Sequence, residues 1–249
     1  MADSPRRNET TMLRDFRTLT FDVVGTLIDF ETGILDWFRP KLLEHGIARA
    51  DEDVLASFAR AEAKYQRETP EKTFTDMLPL IYREVATGWS VRPRHEDAEA
   101  FRDSVRSWPP FPDTVGALEE LSARYRLVAV TNADSWALEH MSATMGEPFD
   151  ETVTCDEVGV NKPSPEVFRY VLEKLAPSGT RKADVLHVAQ SQYHDILPAS
   201  MLGFATAWIE RRHGKAGFGA TPAPERTVEP TFRAADMADF VSQVRDDLV

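Results

Sequence analysis

The chain has 249 residues, 42% of them hydrophobic, and a formal net charge of −12 at neutral pH. That length buries a substantial core, as one large domain or as a core with a smaller cap. The acidic balance argues against nucleic acid or an anionic membrane as partner, and no apolar run approaches a membrane span. The single cysteine, Cys155, permits no internal disulfide and no cysteine-built metal site, which suits a reducing, cytoplasmic setting.

Taken in chain order, residues 1–14 lack the apolar segment of a signal peptide and read as a flexible polar leader. Thr18–Val24 is an apolar run with strand character that delivers one carboxylate, Asp22, into a turn at Gly25-Thr26. Gly25 lets the backbone turn tightly and frees amide N–H groups for an anion beside the acid. No strand pattern follows until Pro109. Thr32–Glu44, Asp51–Arg67, Thr73–Thr87 and His95–Trp108 are predicted amphipathic helices, broken at Gly46, Pro70 and Pro93. In the second, Leu55, Phe58, Ala59 and Ala63 recur at helical spacing as a packing stripe.

Beyond the proline-rich Trp108–Asp113, strands are predicted at Arg126–Thr131, Glu151–Cys155, Asp184–Ala189 and Phe204–Ile209. Helical patterns at Asp113–Arg124, Ser135–Met145, Pro165–Leu175 and Ile196–Leu202 separate most of them. Asp113, Asp134 and Ser164 stand where helix caps belong. This alternation predicts an α/β fold with a doubly wound parallel sheet. Cys155, in an apolar segment, reads as a core thiol.

Four segments carry a resemblance to one family. FDVVGTL (Phe21–Leu27), VAVTNAD (Val128–Asp134), GVNKPSPEVF (Gly159–Phe168) and Leu186–Arg212 resemble, in order, the four motifs of the haloacid dehalogenase superfamily. The resemblance implies a Rossmann-like core from 15–30 and 109–249, with a helical cap, 31–108, inserted after the first strand and closing over the catalytic acid. It makes Asp22 the nucleophile, Thr131 the hydroxyl residue of the second motif, Lys162 the cation of the third and Asp195 the acid closing the fourth.

Two departures from the superfamily's phosphatases bear on the chemistry. Val24 stands where they carry the acid that protonates the leaving oxygen, and Gln190 stands where they carry an acidic Mg2+ ligand. Mg2+ favours carboxylate-rich oxygen sites, so the expected set of metals and cofactors is empty. What remains resembles the L-2-haloacid dehalogenases: the expected substrate is a small anionic organic acid, an (S)-2-haloacid first. In that branch the aspartate displaces the leaving group at carbon and forms an ester, which water hydrolyses. Lys162 is then the charge partner of Asp22, and Asp195 positions Lys162 or the water. Thr131 and Asn132 hold the substrate carboxylate or leaving group, and Ser191 and Gln192 complete the site. Members of this branch are commonly dimers, so a homodimer is expected.

The match has gaps. Val24 replaces an aromatic residue of the branch, Ala59 stands at the place of its halide-binding arginine, and His194 replaces a tryptophan. Arg60 is adjacent to Ala59, but one helical step turns a side chain about 100° off the stripe, so it reads as a solvated charge. His194 is a candidate proton donor near neutral pH, with Tyr65 and Tyr193 as further donors. They keep open a ring-opening hydrolase that resembles azetidine-2-carboxylate hydrolase. A Mg2+-dependent phosphatase and a non-catalytic binding protein are the remaining alternatives.

Overall fold

The computed structural model describes residues 11–247 of the chain. All four residues of strand β1 (Thr18–Phe21) are buried, as in a strand covered on both faces. It pairs in parallel with β2 (Arg126–Thr131) on one side and with β4 (Val185–Ala189) on the other. Strand β3 (Glu151–Thr154) lies outside β2, while β5 (Ala205–Ile209) and β6 (Phe232–Ala234) extend the other edge. The six-stranded order is therefore β3-β2-β1-β4-β5-β6, parallel throughout. The winding direction reverses at β1, and such a reversal opens a crevice at the carboxyl ends of the strands. Asp22 is the first residue past β1.

Four helices make up the insert that follows β1: α1 (Phe30–Glu44), α2 (Asp51–Glu68), α3 (Phe74–Gly88) and α4 (His95–Asp103). Asp29 caps the first, accepting from the Thr32 N–H at 3.1 Å and the Thr32 hydroxyl at 2.7 Å. Phe38 is the hub of their packing, with ring centroids of Tyr82, Trp89 and Phe101 within 5.9 Å. A Cβ on Gly33 would sit 2.3 Å from the Trp108 ring, so only glycine lets α1 approach that closely. This insert is tied to the sheet side by Asn161, whose Nδ2 donates to the carbonyls of Pro70 (3.1 Å) and Lys72 (2.7 Å). The Thr75 hydroxyl also donates to Asp134, the residue that caps α6 (Ser135–Thr144).

The remaining helices flank the sheet: α5 (Thr114–Ser122), the short α7 (Cys155–Val158), α8 (Pro165–Leu175), α9 (Leu197–Met201) and α10 (Met237–Asp246). Val167, Phe168 and Val171 of α8 pack on Val128, Val130 and Val185 over one face. The main core fills the other face and continues into the insert. Cys155 is buried among these groups, and burial pushes its thiol up to about 12.

Three expectations need correction. Of the leader expected over 1–14, residues 1–10 lie outside the described residues, and the rest is docked. Leu13 is buried, and Arg14 bonds Asp247 from its N–H (2.9 Å) and its guanidinium (2.8 Å). Asp113 does not cap its own helix: its carboxylate accepts from Arg211 and from the Met237 N–H, each at 2.8 Å, at the start of α10. Ser164 likewise makes no capping bond. β6 and α10 were not anticipated, although Met237, Phe240, Val241 and Val244 follow a helical period. Among the described residues, no helix is long and apolar enough to cross a membrane.

Candidate active site

Three buried charged groups meet at the crevice. Lys162 Nζ donates to Asp22 Oδ1 (2.8 Å), Asp195 Oδ1 (2.7 Å) and the Val130 carbonyl (2.7 Å). An ammonium has three N–H bonds, and all three are committed. The Thr26 hydroxyl donates to the other Asp22 oxygen, Oδ2, at 2.6 Å and accepts from the Gln190 N–H at 2.8 Å. Gly25 makes this turn possible: its φ is +92°, and a Cβ there would meet the Phe30 ring at 3.0 Å. Behind Asp195, His187 Nε2 lies 3.0 Å from Oδ1 and its Nδ1 lies 2.9 Å from the Thr20 hydroxyl. An ionised Asp195 can only accept, so Nε2 carries a proton toward it. Asp195 Oδ2 is buried with no hydrogen-bond partner.

Burial sets the electrostatics, and the neighbours divide its effects. It would raise Asp195, but the Lys162 charge and the His187 bond outweigh it and hold the carboxyl at about 2. Burial also raises Asp22; Lys162 opposes the rise, while the charge of Asp195 adds to it. For Lys162, burial favours the neutral amine, but the two aspartates override it and keep the ammonium charged.

Asp195 is placed by a π turn, Gln192–Ile196, in which the Ile196 N–H reaches back five residues to the Ser191 carbonyl at 3.0 Å. Such turns recur at functional sites. The wide turn accommodates the five-residue step from Gln190 to Asp195.

Asp22, Lys162 and Asp195 line a cavity of about 30 Å3, together with Val24, Asn132, Ser191 and His194. Of these, Asn132 is occupied in positioning Lys162. Its Nδ2 donates to the Lys162 carbonyl (3.0 Å), and its Oδ1 accepts from the Lys162 N–H (2.6 Å). Four expected ligand residues are not brought to the cavity. The Thr131 hydroxyl accepts from the Ala133 N–H at 3.0 Å and closes a turn instead. Gln192 is spent on Val228, bonding its carbonyl (3.3 Å) and its N–H (3.1 Å). Arg60 is exposed and donates to the Ser57 hydroxyl at 2.9 Å. Tyr65 points its hydroxyl at Glu84, 3.4 Å away. His194 does line the cavity, but burial holds it at about 4, so it is neutral at pH 7 and is no proton donor there.

The cavity also holds residues to which the sequence reading gave no role in binding or catalysis. Phe30 and Phe74 supply aromatic walls, and Gln190 presents a side-chain amide whose Oε1 accepts from the Thr221 hydroxyl at 3.3 Å. The most consequential is Glu62 of α2, 5% exposed and lining the same cavity as Asp22. Burial, with the charge of Asp22, pushes its carboxyl up to about 8. A signal for it exists: Leu55, Phe58 and Glu62 are spaced i, i+3, i+7, which puts an acid on the apolar stripe.

A family model for haloacid dehalogenase-like hydrolases matches residues 16–203. The chain is 23% identical over 202 residues to (S)-2-haloacid dehalogenase 1 of Pseudomonas sp. (strain CBS-3), covering 78% of this chain and 85% of that one. It is 32% identical over 117 residues to the pyrimidine 5'-nucleotidase YjjG of Escherichia coli (strain K12), covering 45% and 50%. The fold superposes on the L-2-haloacid dehalogenase of Xanthobacter autotrophicus with a TM-score of 0.76 at 19% identity, covering 92% of this chain and 98% of that one. One family model thus spans the sheet from β1 to the turn before β5, and the chain belongs to the haloacid dehalogenase-like hydrolases.

Proposed function

We propose that the protein hydrolyses a small 2-substituted carboxylic acid through a covalent ester on Asp22, without a metal, and that (S)-2-haloacids are the first substrates to test. The observation that carries this reading is the Lys162 ammonium bridging Asp22 and Asp195 at 2.8 and 2.7 Å. It opposes the rise that burial imposes on Asp22 and so favours the anionic form a nucleophile requires. It also fills the gap between the two carboxylates. Mg2+ favours carboxylate-rich oxygen sites, and Gln190 supplies an amide in place of a further acid. Among the described residues, no three His, Cys, Asp or Glu side chains are grouped to hold a metal ion. The donor set does not fit Mg2+.

In the proposed cycle an Asp22 oxygen attacks C2 of the acid and the bond to the leaving group breaks. Water then attacks the Asp22 carbonyl carbon, with Asp195 and Lys162 fixing the geometry, and the hydroxy acid leaves. The side-chain amide of Gln190, which lines the cavity, is disposed toward a substrate carboxylate. The cavity has room for about two waters, less than a three-carbon acid needs, so the helical insert acts as a cap that moves aside to admit substrate. The name of the Pseudomonas relative supports the acid substrate. The homodimer implied by the resemblance is checked by light scattering.

The test is turnover of L-2-chloropropionate, L-azetidine-2-carboxylate and p-nitrophenyl phosphate, each with EDTA and with Mg2+, alongside Asp22→Asn. The reading requires EDTA-resistant turnover of one of the two acids, abolished in the variant. Turnover of the phosphate alone, and only with Mg2+, would overturn it.

A further inference from the structure

A halide leaves as a stable anion and needs a cation or N–H donors. An oxygen or nitrogen leaving group needs a proton instead. Among the described residues the cavity has no spare cation for a halide: Lys162 has all three N–H bonds committed, Arg60 is exposed elsewhere and His194 is neutral. What the insert does bring over Asp22 is the carboxyl group of Glu62.

We infer that Glu62 is the acid that protonates the leaving atom, and that the substrate class is therefore 2-substituted acids whose oxygen or nitrogen leaves with a proton, such as strained cyclic ethers. This rests on the Asp22 ester reading and names its leaving group. Glu62 sits in the cavity wall, and its one side-chain hydrogen bond comes from Gln66 Nε2, which donates to Oε1 at 3.3 Å. Gln66 is itself fixed, because its Oε1 lies 3.1 Å from His194 Nε2, while His194 Nδ1 faces the Ser191 hydroxyl at 3.3 Å. A neutral His194 satisfies this chain by donating from Nε2 to Gln66 and accepting at Nδ1 from Ser191. The network orients Glu62 without pairing it with a cation.

The groups facing Glu62 keep its proton on. Asp22 at the end of β1 adds negative charge, with Lys162 and Asp195 beyond it. Phe30 of α1 and Phe74 of α3 are apolar, and Tyr193 and His194 of the π turn are uncharged at neutral pH. A carboxyl held near 8 carries its proton through the neutral range.

The step balances. An Asp22 oxygen bonds to the ring carbon, the carbon–oxygen bond breaks toward oxygen, and that oxygen takes the Glu62 proton. Water then cleaves the ester at the Asp22 carbonyl, and the proton it releases restores Glu62. The net change is addition of one water.

Two matched three-carbon acids test this, oxirane-2-carboxylate and L-2-chloropropionate, with wild type, Glu62→Gln and Glu62→Asp. The expected result is that Glu62→Gln loses at least about 100-fold in kcat on the oxirane, a loss at least tenfold larger than on the chloro acid. Glu62→Asp should recover part of it. Wild-type kcat on the oxirane should fall as pH rises through about 8, and a protonated-carboxyl infrared band should vanish over the same range and be missing in Glu62→Gln. Equal losses on both acids, or an oxirane rate indifferent to Glu62→Gln, would overturn the inference while leaving Asp22 in place. Acid quenching and peptide mapping distinguish the deeper failure: no adduct on the Asp22 peptide with either acid would sink both readings.

Discussion

Lys162 balances two carboxylates with one charge, so its removal leaves Asp22 and Asp195 buried and uncompensated. Breaking a buried pair on one side costs about 3–5 kcal/mol. We predict that Lys162→Met lowers the unfolding free energy measured in urea by that amount and abolishes turnover, while adding Asp195→Asn recovers part of the stability. Glu62 makes the opposite kind of contribution. Its carboxyl is raised from 4.5 to about 8 in the fold, so the native state binds a proton that the unfolded chain releases between those values. The stability it protects is complete below pH 4.5 and is lost as pH rises through about 8. At about 1.4 kcal/mol per unit, the loss is on the order of 5 kcal/mol. Glu62→Gln should match wild type in denaturant at pH 5 and exceed it at pH 9; equal stability at both would contradict the placement of Glu62. Asp195 runs the other way: held at about 2, it stabilises above 3.8 and loses that contribution as pH falls toward 2. Asp22 was legible from the apolar strand that delivers it, whereas Lys162 and Asp195 came from the family resemblance; the fold brings all three together. Arg60 is exposed, in line with its one-step offset from the packing stripe, while Tyr65 turns its hydroxyl to Glu84, a direction that residue type alone does not reveal.

At the scale of elements, the site is made where the insert meets the sheet. The loop between α2 and α3 is held by Asn161 through two carbonyls, at 3.1 and 2.7 Å. Each such bond is worth about 0.5–1.5 kcal/mol net. Asn161→Ala is expected to loosen this loop, which shows as faster proteolysis after Arg67 and Lys72 and a raised KM with little change in the thermal midpoint of the core. Unchanged cleavage would mean that the loop is held by other contacts. These ties were invisible in the sequence because Asn161 and Lys72 are 89 residues apart. The π turn was only half visible: the five-residue step from Gln190 to Asp195 could be counted, but the bond that makes room for it could not. Gln192 follows the same logic, since its partner Val228 lies 36 residues on, in a segment with no strand or helix pattern.

For the whole molecule, sheet order and charge set the terms. The alternating apolar runs predicted the parallel sheet and five of its strands, because buried parallel strands are written as short continuous hydrophobic segments. β6, three residues long, is too brief for such a signal. A molecule of net charge −12 repels an anionic substrate at long range. Raising ionic strength from about 0.01 to 0.1 M shortens the screening length from about 30 to 10 Å. The kcat/KM for an organic acid should therefore rise with salt, while kcat stays constant; a fall with salt would point to a cationic approach path to the site.

The central claim is that Asp22 becomes an ester and that water cleaves it at the Asp22 carbonyl. The most direct test is turnover of oxirane-2-carboxylate or L-2-chloropropionate in 18O-labelled water, followed by mass mapping of the Asp22 peptide. The account predicts that 18O accumulates in the Asp22 carboxyl over successive turnovers and that no other carboxylate takes it up. Product that carries the label while the Asp22 peptide stays unlabelled would mean that water attacks the substrate directly, and the claim would fall.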